Sequence, residues 1–142
     1  MPPENQQPPI RVRAIVPVTI KFDMNTEKAE NTELEVSVAL RGNASDDAKS
    51  ARIFLDVELH HKDHKGPYAL FISMMGEFEK VEDRPFDWTP FLEVNGPAIV
   101  FPYARELASN ITARVGSPVI FPPMNVTALA KNAKLKEQAK KK

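Results

Sequence analysis

The residues best suited to chemistry stand together. His60-His61-Lys62-Asp63-His64 holds all three histidines of the chain and a carboxylate within five residues. Imidazole and carboxylate are ligands for zinc or nickel, and three of them this close could share one ion. The segment, however, joins two stretches of alternating polarity, where a polar turn is expected in any case. His60 and His61 would also face opposite sides of an extended chain. A solvated turn is the expectation, and Asp46-Asp47 reads in the same way as a hairpin tip. No Gly-rich phosphate loop and no Gly-X-Ser-X-Gly is present, and the five glycines are scattered. With no cysteine, a disulfide framework, a Cys-based zinc site and a thiol nucleophile are excluded. The reading is a protein that is not an enzyme, with no catalytic residue, no metal and no cofactor.

Charge divides the chain. Nineteen Lys and Arg balance 19 Asp and Glu. Setting aside the six Lys and one Glu of residues 131–142 leaves 13 basic and 18 acidic residues, a net of −5 for 1–130. This is an acidic body with a basic tail. The tail has no aromatic side chain for base stacking and little apolar content for lipid burial, so nucleic acid and membrane insertion are not expected. The first ten residues lack the basic and apolar regions of a signal peptide. No apolar run approaches the roughly 18 residues of a membrane span. The expected location is cytoplasmic.

The elements that must position these groups follow from periodicity. Ile10, Val12, Ala14, Val16, Val18, Ile20 and Phe22 alternate with mostly polar residues, the signature of a strand. Pro17 places that strand at an edge or at a bulge. Leu34–Leu40, Ile53–Leu59 and Leu70–Phe78 repeat the alternation, which predicts a four-stranded antiparallel sheet. By parity Ile15, Phe54, Phe71 and Met75 fall on its outer face, where apolar residues suggest a contact. Residues 80–97 read as an irregular connection carrying Phe86, Trp88, Phe91 and Leu92. A helix is predicted over Ala98–Val115, with Pro102 in its first turn and Gly116 and Pro118 at its end. A shorter helix is predicted from Asn125. Residues 1–9 form a flexible lead-in, 10–133 one domain and 134–142 a Lys-rich tail.

Val100-Phe101-Pro102-Tyr103-Ala104-Arg105-Glu106 resembles the start of the long helix in the SecB family of protein-export chaperones. Ala113-Arg114 is similar to the family's Ser-Arg at that helix's end. Pro123-Met124-Asn125-Val126-Thr127-Ala128-Leu129 resembles the stretch before its second helix. Gly76 and Phe78 are similar to a Gly and a Phe late in its fourth strand. The resemblance covers about residues 10–133.

That resemblance implies an α+β fold: a Greek-key sheet followed by one long and one shorter helix. It implies a homotetramer, a dimer of dimers, that binds unfolded polypeptides or preproteins in apolar grooves. The groove residues would be Phe71, Phe78, Phe86, Trp88, Phe91, Tyr103, Phe121 and Leu129. Ile15, Phe54, Met75, Tyr103, Arg105, Asn110 and Arg114 would meet other subunits. In this family acidic residues on the outer face dock the translocase motor ATPase. Here Ser73 occupies one such position, Phe71 replaces an aliphatic contact, and the tail is basic. These departures tell against docking on the motor. They leave two readings, a chaperone serving preprotein export and a chaperone or scaffold dedicated to one partner such as an antitoxin.

Overall fold

The computed structural model describes residues 9–25, 33–61, 66–116, 119 and 121. The lead-in before Pro9, the predicted second helix with Leu129, and the Lys-rich tail lie outside them. Four strands form one antiparallel sheet: β1 (Ile10–Met24), β2 (Leu34–Ala44), β3 (Ser50–His61) and β4 (Tyr68–Lys80). Their spatial order is β1-β4-β3-β2. Strands β2, β3 and β4 form a meander, and β1 lies beside β4, the Greek-key arrangement that the family resemblance implies. Met24 is paired with Tyr68 and Leu34 with His61, so β1 ends and β2 begins at the same end of the two central strands.

The inner face carries the core. Ile53, Leu55, Val57 and Leu59 on β3, with Leu70, Ile72 and Phe78 on β4, are 0–1% exposed. Side chains of this size stabilise by about 1.5–3 kcal/mol each when fully buried. Their cover is a helical segment that begins earlier than the sequence suggests. A single turn, α1 (Trp88–Pro90), runs into a π-helical turn at Phe91–Asn95 and then into α2 (Gly96–Ala113). Residues 88–95 are therefore not irregular. Pro97 sits in the first turn of α2, and Pro102 falls inside the helix rather than in its first turn. Packing of Trp88 and Phe91 against the sheet outweighs the local signals of Pro90, Asn95 and Gly96. Helix α2 presents Val100, Phe101, Ala104, Ala108 and Thr112 inward. It lies close: a β-carbon at Gly76 would stand 2.6 Å from Val100 Cγ2.

The helix ends as expected. Arg114, Val115 and Gly116 donate to carbonyls three residues back, and Gly116 adopts a φ of 77°. The chain then returns. Val119 N–H donates to Thr112 Oγ1 at 2.8 Å, and Ser109 Oγ donates to Val119 O at 3.0 Å. This seats Phe121 edge-on to Phe101, 5.9 Å between ring centres.

Strand β1 differs from the expected alternation. Its register against β4 shifts between Val12 and Ala14 and again between Pro17 and Thr19. Each shift inserts one residue and reverses the parity. Ile15 therefore pairs with Gly76 on the inner face and packs against the core, while Ala14 and Val16 turn outward. The expectation that Ile15 lies on the outer face is corrected by these two bulges, the second of them beside Pro17.

Candidate functional site

Four aromatic side chains from three places in the chain meet at one end of the inner face. Phe78 on β4 stands 4.9 Å from Phe91, Phe91 lies 5.6 Å from Trp88, and Trp88 lies 4.9 Å from Phe86, all edge to face. Such pairs add about 0.5–1.5 kcal/mol each beyond their burial. The Trp88 indole N–H donates to Ala48 O at 2.7 Å, in the β2–β3 turn. Asp87 caps the helical segment by accepting from Thr89 N–H. Phe78, Phe91 and Trp88 are buried and Phe86 is half-buried, so Phe86 is the ring of the cluster nearest to solvent.

The same face is open further along. Val12, Ile20 and Met24 share it by register with Phe78, Ile72 and Tyr68, yet they are 44%, 48% and 50% exposed. A helix is about 10 Å across, whereas the outer strands of a four-stranded sheet are roughly 14 Å apart. Among the described residues, the helix seated on β3 and β4 leaves Val12, Ile20 and Met24 of β1 about half exposed, while Ile10, Ile15 and Phe22 pack partly against the core. Sequence reasoning missed this strip, although that width comparison could have found it.

The other groove residues named from the sequence do not share this surface. Phe71 lies on the opposite face, opposite Lys21 and Glu58 in the neighbouring strands and beside a shallow cleft that Asp23 also lines. Tyr103 is 51% exposed, and Phe121 is buried against Phe101. Phe78 is fully buried, so in this conformation it supports the cluster from beneath. Arg105, Asn110 and Arg114 are exposed on the helix, and the Arg105 guanidinium lies 5.9 Å from the Phe101 ring centre.

The outer face is a set of rows. Val16, Met75 and Phe54 form an apolar row across β1, β4 and β3, and the Arg41 guanidinium lies 4.9 Å from the Phe54 ring centre. Arg41 also reaches Asp56 at 3.4 Å. On the other side of the row, Arg11 pairs with Glu79, Arg13 reaches Glu79 at 3.7 Å, and Arg13 and Arg52 each reach Glu77 at 4.0 Å. The Arg11 hydrogen bond holds the Glu79 carboxyl below its ordinary value. Ser73 is 3% exposed and belongs to the centre of this face, between Thr19 and Asp56.

His60 and His61 belong to the end of β3 rather than to a solvated turn. His60 points outward and sits 2.8 Å from Glu35, whereas His61 points inward, is 4% exposed and lies edge-on to Tyr68 at 4.9 Å. Burial pushes the Tyr68 hydroxyl up. Asp63 and His64 lie outside the described residues. Among the described residues no group of three or more His, Cys, Asp or Glu could hold a metal ion. None of their helices is long and apolar enough to cross a membrane.

The fold and this surface define an α+β protein whose distinctive feature is half-covered apolar area. The family model described as "Preprotein translocase subunit SecB" matches residues 5–138, and the chain belongs to the SecB family. It is 36% identical over 119 residues to an uncharacterized protein of Methanocaldococcus jannaschii, covering 80% of this chain and 77% of that one. It is 27% identical over 133 residues to the protein-export protein SecB of an Azoarcus species, covering 89% and 88%. Among solved structures it is similar to the SecB-like chaperone of Mycobacterium tuberculosis in complex with a ChAD peptide from the HigA1 antitoxin. That likeness has a TM-score of 0.64 at 13% identity and covers 80% of this chain and 86% of the other.

Proposed function

We propose that this protein is a non-enzymatic chaperone that holds unfolded polypeptides, acting in the cytoplasm as a dimer of dimers. The carrying observation is the apolar strip of Val12, Ile20 and Met24 on the same inner face as the Phe86–Trp88–Phe91 cluster. A holdase needs exposed apolar area that extended chains of varied sequence can cover. The SecB family and the antitoxin-peptide complex of the tuberculosis relative support this reading. Assembly through β1 is supported by its edge position and by its exposed Val16 and Val18. Light scattering of a stable monomer at micromolar concentration would count against that part.

The direct test is binding of one protein in two states. Fluorescence anisotropy should show micromolar or tighter binding of a labelled, permanently unfolded protein and no binding of its native form. Equal affinity for both, or for neither, would remove the holdase reading.

A second reading, a chaperone dedicated to one partner and independent of the translocase motor, is favoured by the outer face. There Ser73 is buried and Val16, Met75 and Phe54 make an apolar row between arginine–carboxylate pairs. Calorimetry against the motor ATPase separates the two readings. Heat from a saturable complex supports the export role, and its absence supports the dedicated one.

A further inference from the structure

Ala48 has a φ of 57°, the one non-glycine residue with positive φ among those described. A β-carbon disfavours this left-handed conformation, and such residues persist where their surroundings over-determine them. The surroundings here are dense. Ala48 N–H donates to Ser45 O at 2.9 Å, and Ser45 N–H donates to Ser50 O at 2.8 Å. The Asp47 carboxylate accepts from Ser45 Oγ at 2.6 Å and from Lys49 N–H at 3.1 Å. Ser45 Oγ in turn accepts from Ser50 N–H at 3.1 Å. Lys80 N–H donates to Lys49 O at 2.9 Å, which ties the turn to the end of β4. The free product of this network is the Ala48 carbonyl, and it receives the Trp88 indole N–H.

The arrangement matters because of what lies between. Residues 81–85 and Asp87 are exposed, and the bonds that hold the stretch (Val81 N–H to Pro9 O at 2.9 Å, Lys80 Nζ to Arg84 O at 3.0 Å, Thr89 N–H to Asp87) fix its backbone without touching the indole. Packing against Phe86 and Phe91 sets how deep the indole sits. A directed hydrogen bond also sets its rotation. We propose that the β2–β3 turn is a positioning element for the client surface, with Asp47 acting through the Ala48 carbonyl to orient Trp88, the buried ring that backs half-buried Phe86. This proposal rests on the chaperone reading.

Trp88 is the only tryptophan, so its indole N–H gives one NMR signal and can be followed alone. The experiment measures solvent exchange of that proton and, in parallel, binding of a fluorescein-labelled, Trp-free apolar peptide. In the unaltered protein the indole proton should exchange at least ~100-fold more slowly than in free indole. Asp47→Ala should speed exchange roughly tenfold and weaken the peptide about fivefold, the loss of one hydrogen bond's worth of orientation. Trp88→Phe, which keeps a ring and removes the donor, should weaken binding by a similar factor. Ala48→Gly, which keeps the carbonyl and accepts the left-handed backbone, should bind as the original does. Rapid indole exchange in the unaltered protein would overturn the proposal without any variant. So would unchanged exchange and affinity in Asp47→Ala. If no peptide binds at all, the chaperone reading fails, while the exchange rates still decide whether the turn orients Trp88.

Discussion

The two sides of one sheet face have had different fates. Ile53, Leu55, Leu70 and Ile72 lie under α2 and are sealed from water, whereas Val12, Ile20 and Met24 on β1 share the face and remain about half exposed. The residue types are alike and the backbone is continuous. Only the cover differs, because among the described residues α2 spans two strands and the sheet has four. Apolar alternation therefore marks a surface that must meet something, and the width of the cover decides whether that partner is internal. On this account the covered half holds the fold together and the open half is available for binding.

Substitutions should separate the two halves. Leu55→Ala removes a fully buried side chain and should cost about 2–5 kcal/mol, read from the urea midpoint. Ile20→Ala on the same face should cost less than about 1 kcal/mol, since nearly half of that side chain is already in water. Equal losses would break the comparison. Next in size is Gly76→Ala, which forces a methyl against Val100 and should destabilise by about 1–3 kcal/mol through overpacking. Thr112→Val leaves Val119 N–H without its acceptor and should cost about 1–2 kcal/mol. It should also raise amide exchange at Val119 more than in the sheet.

The smallest effect is electrostatic and lies on the outer face. Arg11 lowers the Glu79 carboxyl in the folded state relative to its ordinary value of 4.5. The folded state therefore binds that proton less readily than the unfolded chain does. Stability from this contact is present above pH 4.5 and is lost as pH falls through the lowered folded value. Arg11→Ala should therefore lower stability slightly at neutral pH, leave it unchanged below the lowered folded value, and so flatten the acid limb of a stability–pH curve; the loss is small because the Arg11 side chain is 66% exposed.

Much of this was legible in the residues, for reasons that can be traced. In β3 from Ala51 to Leu59 and in β4 from Tyr68 to Phe78 the inward positions are apolar at period two, Gly76 apart, and the structure buries them. In β1 apolar residues occupy both parities from Ala14 to Val16, so pattern alone could not show where the register reverses. Pro17 marked the disturbance without giving its direction. The helical start at Trp88 was hidden by Pro90, Asn95, Gly96 and Pro97. The heptapeptide from Val100 to Glu106 carried the family, and the structure places it at the centre of α2. The aromatic residues of 86–91 clearly needed a packing site, but only the topology brings the β2–β3 turn to Trp88, 40 residues away. Phe71 and Trp88 looked alike as groove candidates, and the sheet separates them onto opposite faces.

The most direct test of the central claim is light scattering from a slowly refolding client diluted out of denaturant with increasing amounts of this protein and no nucleotide. Aggregation should fall with added protein and be suppressed at stoichiometric ratios. Ile20→Ser, which places a hydroxyl on the open strip, should protect less at equal concentration. Unchanged aggregation at a several-fold excess of the folded protein would contradict that claim.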